Sequence, residues 1–102
     1  MEKECDAIMQ EKLSAIKSAI QNAFPDGNIY YRGSGNKLYK FELVQEGITD
    51  CRLDFDWQYL LNNNENTIID RLRRGKVFET ILNASRPIKI LLTDYEVKIE
   101  NW

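Results

Sequence analysis

A chain of 102 residues with 16 acidic and 14 basic side chains, a net charge of -2 and a pI near 5.2 has room for one modest hydrophobic core and projects no overall field that would attract phosphate backbones or anionic lipid. Histidine is absent, which removes the usual general base near neutral pH, the Ser-His and Cys-His nucleophile pairs and the commonest zinc ligand. No apolar run approaches the roughly 18 residues of a membrane span, and the opening Met1-Glu2-Lys3-Glu4-Cys5-Asp6 lacks the basic start and apolar core of a signal peptide; the expectation is a single cytoplasmic domain over residues 1–102 with no cofactor.

Met9, Leu13, Ile16, Ile20 and Phe24 recur at spacings of three and four, with Ala19 and Ala23 on the same side, which predicts one amphipathic helix. Its other face carries Glu11, Lys12, Lys17, Ser18 and Gln21. Phe24-Pro25-Asp26-Gly27-Asn28 ends it, because proline cannot continue the hydrogen-bond ladder and Asp-Gly-Asn supplies turn conformations.

From Asn28 to Gln58 the period changes. Ile29 and Tyr31, then Tyr39, Phe41 and Leu43, then Cys51, Leu53, Phe55 and Trp57 occupy every second position, as in strands buried on one face. Tyr30, Arg32, Lys40, Glu42, Arg52, Asp54 and Asp56 alternate with them and should face water. Inward residues must pair with inward residues, so placing Leu43 opposite Cys51 sets Phe41 opposite Leu53 and Tyr39 opposite Phe55. Glu42 then faces Arg52 and Lys40 faces Asp54, two opposite-charge pairs. The loop would be Glu46-Gly47-Ile48, with Gly47 free to adopt a positive φ. The same parity sets Tyr31 opposite Tyr39 and Tyr30 beside Lys40, with Ser34-Gly35-Asn36 as the first turn. Cys51 reads as a core thiol and Cys5 as a helix residue, since neither lies in a C-x-x-C pair.

Asn62-Asn63-Asn64-Glu65-Asn66-Thr67 offers a turn and N-caps, and Thr67 with Asp70 has the outline of a capping box. Ile68, Ile69 and Leu72 then share one helix side, and Phe78, Ile81 and Leu82 share another. The two stripes are out of phase at about 100° per residue, which predicts a break or kink near Gly75. Beyond Arg86-Pro87, Ile88, Ile90 and Leu92 alternate. Tyr95, Val97 and Ile99 do so on the opposite parity, with a turn or bulge at Thr93-Asp94 between them. The first of these strands should run parallel to the first or third strand of the meander.

The order helix, three-stranded meander, helix resembles double-stranded-RNA-binding domains in outline. Such domains place a lysine cluster at the start of the second helix, where this chain has Asn63, Asn64, Glu65, Asn66 and Thr67, so the resemblance implies no shared function. The expected fold is a two-layer α+β domain. An N-terminal helix, a three-stranded antiparallel meander, one kinked or two short helices, and one or more C-terminal strands complete a mixed sheet whose other face stays polar.

Four groups of residues could carry function. Arg71-Leu72-Arg73-Arg74-Gly75-Lys76 places four cations at a predicted helix end, where Arg71, Arg73, Arg74 and Lys76 would grip phosphates or simply complement the helix dipole. Asp54 and Asp56 resemble half of a hard-cation site, yet Lys40 and Arg52 neutralise the same surface. Arg32-Gly33-Ser34-Gly35-Asn36-Lys37 lacks P-loop spacing. Tyr30, Tyr59, Tyr95 and Trp102 exceed the needs of the core and are of the type that anchors interfaces.

The leading expectation is therefore a non-catalytic protein that binds another protein through the polar face of its sheet, at Tyr30, Lys40, Arg52, Asp54 and Asp56. Nucleic-acid binding through Arg71, Arg73, Arg74 and Lys76 is the alternative. A homodimer through the C-terminal strand is a further expectation, and no metal or membrane partner is implied.

Overall fold

The structure, a computed structural model, describes residues 2–35 and 37–102, with side chains from residue 9 to 32 and from 37 onward. Among the described residues nine elements follow in order: α1 (Glu2–Ala23), β1 (Asn28–Gly35), β2 (Leu38–Val44), β3 (Cys51–Asp56), α2 (Trp57–Asn62), α3 (Glu65–Arg74), α4 (Val77–Asn83), β4 (Ile88–Leu92) and β5 (Val97–Asn101). The strands form one sheet in sequence order, antiparallel except where β4 runs parallel to β3. The expected α+β class and mixed sheet are present.

The apolar stripe of α1 buries Met9, Leu13, Ile16, Ala19, Ile20 and Phe24. They meet Phe41, Leu43, Cys51, Leu53 and Phe55 from the meander, Ile90 and Leu92 from β4, and Leu60, Ile68, Leu72 and Ile81 from the later helices. One core thus lies between the helices and one face of the sheet. The register of β2 against β3 is the one derived from parity, with Leu43 opposite Cys51, Phe41 opposite Leu53, Tyr39 opposite Phe55, Glu42 opposite Arg52 and Lys40 opposite Asp54. Gly47 has φ +90°. Ladder pairing stops at Leu43 and Cys51, however, so the connection spans residues 45 to 50 and is longer than three residues.

The first hairpin departs from expectation. Tyr31 lies opposite Phe41 and Tyr30 opposite Glu42, two residues from the expected partners, and a bulge falls between Tyr31 and Ser34. The two-residue slip preserves which face each side chain takes, so parity alone could not detect it. Ser34 and Gly35 belong to β1, where Gly35 pairs with Leu38. Asn36 of the expected turn lies outside the described residues. Lys37 follows with φ 61°.

Trp57, expected as the last inward residue of a strand, instead opens α2 and is 38% exposed. The cause is Asp56, whose side chain caps that helix by accepting from the Tyr59 N–H at 3.3 Å. The cap of α3 is Asn64, which accepts from the Thr67 N–H at 2.8 Å. Thr67 therefore lies inside the helix and makes no capping box with Asp70. The break falls at Gly75 and Lys76, the latter with φ 61°. It rotates α4 so that Val77 and Ile81 are buried while Leu82 is 55% exposed.

Ala23 is exposed. Lys12, expected in water, is buried because its ammonium donates to the Leu60 carbonyl in the last turn of α2, where a cation complements the helix dipole. Tyr95 lies in the β4–β5 turn and is 95% exposed. That turn is held from behind. Asn62 and Asn63 each donate to the Asp94 carboxylate, at 3.1 and 2.9 Å, and Arg71 donates to the Thr93 carbonyl.

Candidate interaction surface

The strand positions that alternate with the core residues lie on the other face of the sheet, where no described helix packs. The registers bring them into rows across the strands. Tyr30, Glu42, Arg52, Lys89 and Glu100 form one row, and Lys40, Asp54, Leu91 and Lys98 form the next. Cations and anions are interleaved in both rows, so the face carries local polarity and little net field.

Within the meander its ion pairs are not the directly opposed ones, whereas Lys89 and Glu100 on β4 and β5 are both opposed and paired. Glu42 accepts from Arg32 at 2.7 Å. Arg52 turns along its own strand and donates through both Nε and Nη2 to the two carboxylate oxygens of Asp54, each at 2.9 Å. Such a fork is the strong geometry for a guanidinium and a carboxylate. It also closes over Asp54, which is buried at 2% exposure although it sits on the polar face where water was expected. Glu100 accepts from Lys98 at 3.0 Å and from Lys89 at 3.4 Å. The hydrogen bond and charge of Lys98, with a smaller contribution from Lys89, hold the Glu100 carboxyl below its usual range, and Glu100 in turn raises the Lys98 ammonium.

Two aromatic rings lie against these guanidinium groups. The Arg32 guanidinium is 5.0 Å from the centroid of Tyr30, and that of Arg52 is 5.8 Å from the centroid of Trp102. Both rings remain accessible, at 44% and 45%. The N–H of Trp102 donates to the Pro87 carbonyl at 3.0 Å, which fixes the backbone beneath its ring. A layered stack of Asp54, Arg52 and Trp102 thus occupies one side of the face, and a second of Glu42, Arg32 and Tyr30 the other.

The remaining expected site residues are placed as follows. Lys40 is half-buried beside Asp54. Asp56 serves the α2 cap. Asp54 and Asp56 do not make a cation site: both oxygens of Asp54 are occupied by Arg52, and no cluster of three or more metal-ligating side chains occurs among the described residues. Tyr59 is buried, with the Arg71 guanidinium 4.9 Å from its ring centroid.

The basic segment does not form one patch. Arg71 turns inward to Tyr59 and the Thr93 carbonyl. Arg74 pairs with Asp70 one turn earlier, at 3.0 Å, while Arg73 is exposed and Lys76 sits in the break beyond the helix. Cys51 is buried, and burial, reinforced by the Asp54 charge, pushes its thiol up to about 12. It is no nucleophile in the folded protein.

Lys89, Lys98 and Glu100 went unrecognised as members of the face from sequence. The signal was present, since they alternate with Ile88, Ile90 and Ile99, but it becomes usable only once β4 and β5 are known to extend the meander.

No protein-family model, curated protein or solved structure matches this chain. Among the described residues no helix is long and apolar enough to cross a membrane.

Proposed function

We propose that this is a small intracellular, non-catalytic protein that acts by binding another protein, as an inhibitor, adaptor or regulatory subunit, through the open face of its sheet. Tyr30, Lys40, Arg52 and Trp102 make the contact, and Asp54 and Asp56 hold the face in shape. The observation that carries this reading is the pair of half-exposed aromatic rings, each seated against a guanidinium that is itself tied to a carboxylate. Aromatic and arginine side chains dominate interface hot spots. Side chains already held in place lose less conformational freedom when a partner arrives. The interleaved charges favour a partner with a complementary pattern over a uniformly charged polymer.

The test is a photo-crosslinking residue placed at Lys40, with a matched control at the exposed Lys17 on α1. The face should crosslink a discrete protein that the control does not, and Tyr30→Ala or Trp102→Ala should weaken capture about thirtyfold, the scale of a hot-spot loss of roughly 2 kcal/mol, while circular dichroism stays unchanged. Equal capture from Lys17, or capture indifferent to both substitutions, overturns the reading. So does salt-sensitive retention on heparin that disappears with Arg73→Glu, because that places the function in the basic segment.

A further inference from the structure

The two edges of the sheet are built differently. β1 carries a bulge between Tyr31 and Ser34 and contains Gly33 and Gly35, features that twist and blunt an edge. β5 is a regular run, Val97-Lys98-Ile99-Glu100-Asn101, with no bulge, glycine or proline. Such an edge is a template for another strand.

Which backbone groups β5 offers follows from its pairing with β4. The Trp102 N–H donates to Pro87 and the Thr93 N–H donates to the Glu96 carbonyl, both at 3.0 Å. Bonded residues alternate along an antiparallel ladder, so Lys98 and Glu100 turn their backbone groups toward β4. Val97, Ile99 and Asn101 turn theirs to the open edge.

On this edge the sequence is its own complement. When a second β5 is laid antiparallel across a two-fold axis through Ile99, Val97 meets Asn101 and Ile99 meets Ile99. Lys98 meets Glu100 on both sides of the axis. The three pairs centred on Ile99 are those whose N–H and C=O groups are unused by β4. The charges opposed across the new seam are of opposite sign, and a shift by two residues in either direction brings Lys98 opposite Lys98 or Glu100 opposite Glu100.

Ile99 supplies the apolar part. It lies on the helix side of the sheet, yet it is 51% exposed, because the hollow of about 490 Å³ between β5 and α4 leaves it uncovered beside Ile88, Asn101, Glu79, Thr80 and Asn83. A two-fold seam sets Ile99 of one copy against Ile99 of the other and joins the two hollows.

We infer that the β5 edge is a homodimerisation site, in which two copies join antiparallel about Ile99 into one continuous ten-stranded sheet. The inference is independent of what binds the polar face.

Sedimentation or light scattering over a concentration series up to millimolar tests it. The mass should rise from 12.0 kDa to twice that value. Lys98→Glu and Glu100→Lys each oppose like charges across the axis and should weaken self-association about tenfold or more. An equimolar mixture of the two variants restores opposite charges at both positions and should recover the dimer. Ile99→Pro should abolish it with the fold intact, since that N–H is not bonded within the chain. A monomer at every concentration overturns the inference. So does a dimer indifferent to the single substitutions, or failure of the mixed variants to associate where the wild-type protein does.

Discussion

The two faces of β3 solve one problem in opposite ways. Toward the helices, Cys51, Leu53 and Phe55 are removed from water by apolar neighbours. On the other side no described helix packs, yet Asp54 is nearly as inaccessible as they are, because Arg52 and behind it Trp102 lie across it. A charged side chain can therefore be buried on an open sheet face, provided its own lid carries the opposite charge. The difference teaches where each face is vulnerable: the covered face through volume, the open face through one guanidinium.

The largest effect belongs to the covered face. Leu53→Ala at a site of 0% exposure in the middle of the sheet should lower unfolding free energy by about 3 kcal/mol, the transfer and cavity cost of such truncations, measured by urea denaturation. Arg52→Ala should come next, at about 2 kcal/mol, because it removes both hydrogen bonds that the buried Asp54 carboxylate accepts from the guanidinium. Replacing both, as Arg52→Met with Asp54→Leu, should return most of that loss. If Arg52→Ala proves harmless while Leu53→Ala does not, the open face is merely a solvated surface and the lid is no structural element.

A pH-dependent effect crosses the strand between the faces. The Cys51 thiol is raised from its ordinary value of 9.0 to about 12, mainly by burial and secondarily by Asp54. The fold retains the neutral thiol while the unfolded chain releases its proton above about pH 9, so between there and pH 12 the unfolded state binds fewer protons. Stability from this group is fully present below pH 9 and falls as pH rises, with a slope of at most about 1.4 kcal/mol per pH unit. Cys51→Ala should flatten the wild-type dependence over that interval, read as the difference between the two pH profiles. Parallel profiles would mean that Cys51 is accessible to solvent in the native state.

Which of these features could be read from sequence depends on the range of the interaction. The register of β2 on β3 was legible because alternation on both strands and two charge oppositions agree at one alignment. The bulge in β1 was not, since a two-residue shift changes no face. The third strand looked longer than it is because Trp57 continues the alternation, whereas the decision is made by Asp56 as a helix cap. At the candidate surface, the residues of the face were legible for the meander and the ring positions were not. Arg52 pairs within its own strand and Trp102 reaches it from beyond β5, so that arrangement depends on β4 lying between them.

The sharpest comparison lies within the open face itself. Arg32 and Arg52 each hold a carboxylate with Nε and Nη2 and each lies against an aromatic ring, although Arg32 sends both donors to one oxygen of Glu42 whereas Arg52 reaches both oxygens of Asp54. Their surroundings differ. Arg32 is 56% exposed over a Glu42 at 16%, whereas Arg52 is 23% exposed over an Asp54 at 3%. When Arg32 is removed, water reaches Glu42 at once, and an exposed pair contributes only about 0.2 to 1 kcal/mol. Arg32→Ala should therefore cost a few tenths of a kcal/mol, and less in high salt, whereas the cost of Arg52→Ala should change little with salt. Equal losses for the two arginines would show that pairing, rather than burial of the acid beneath it, holds this face together.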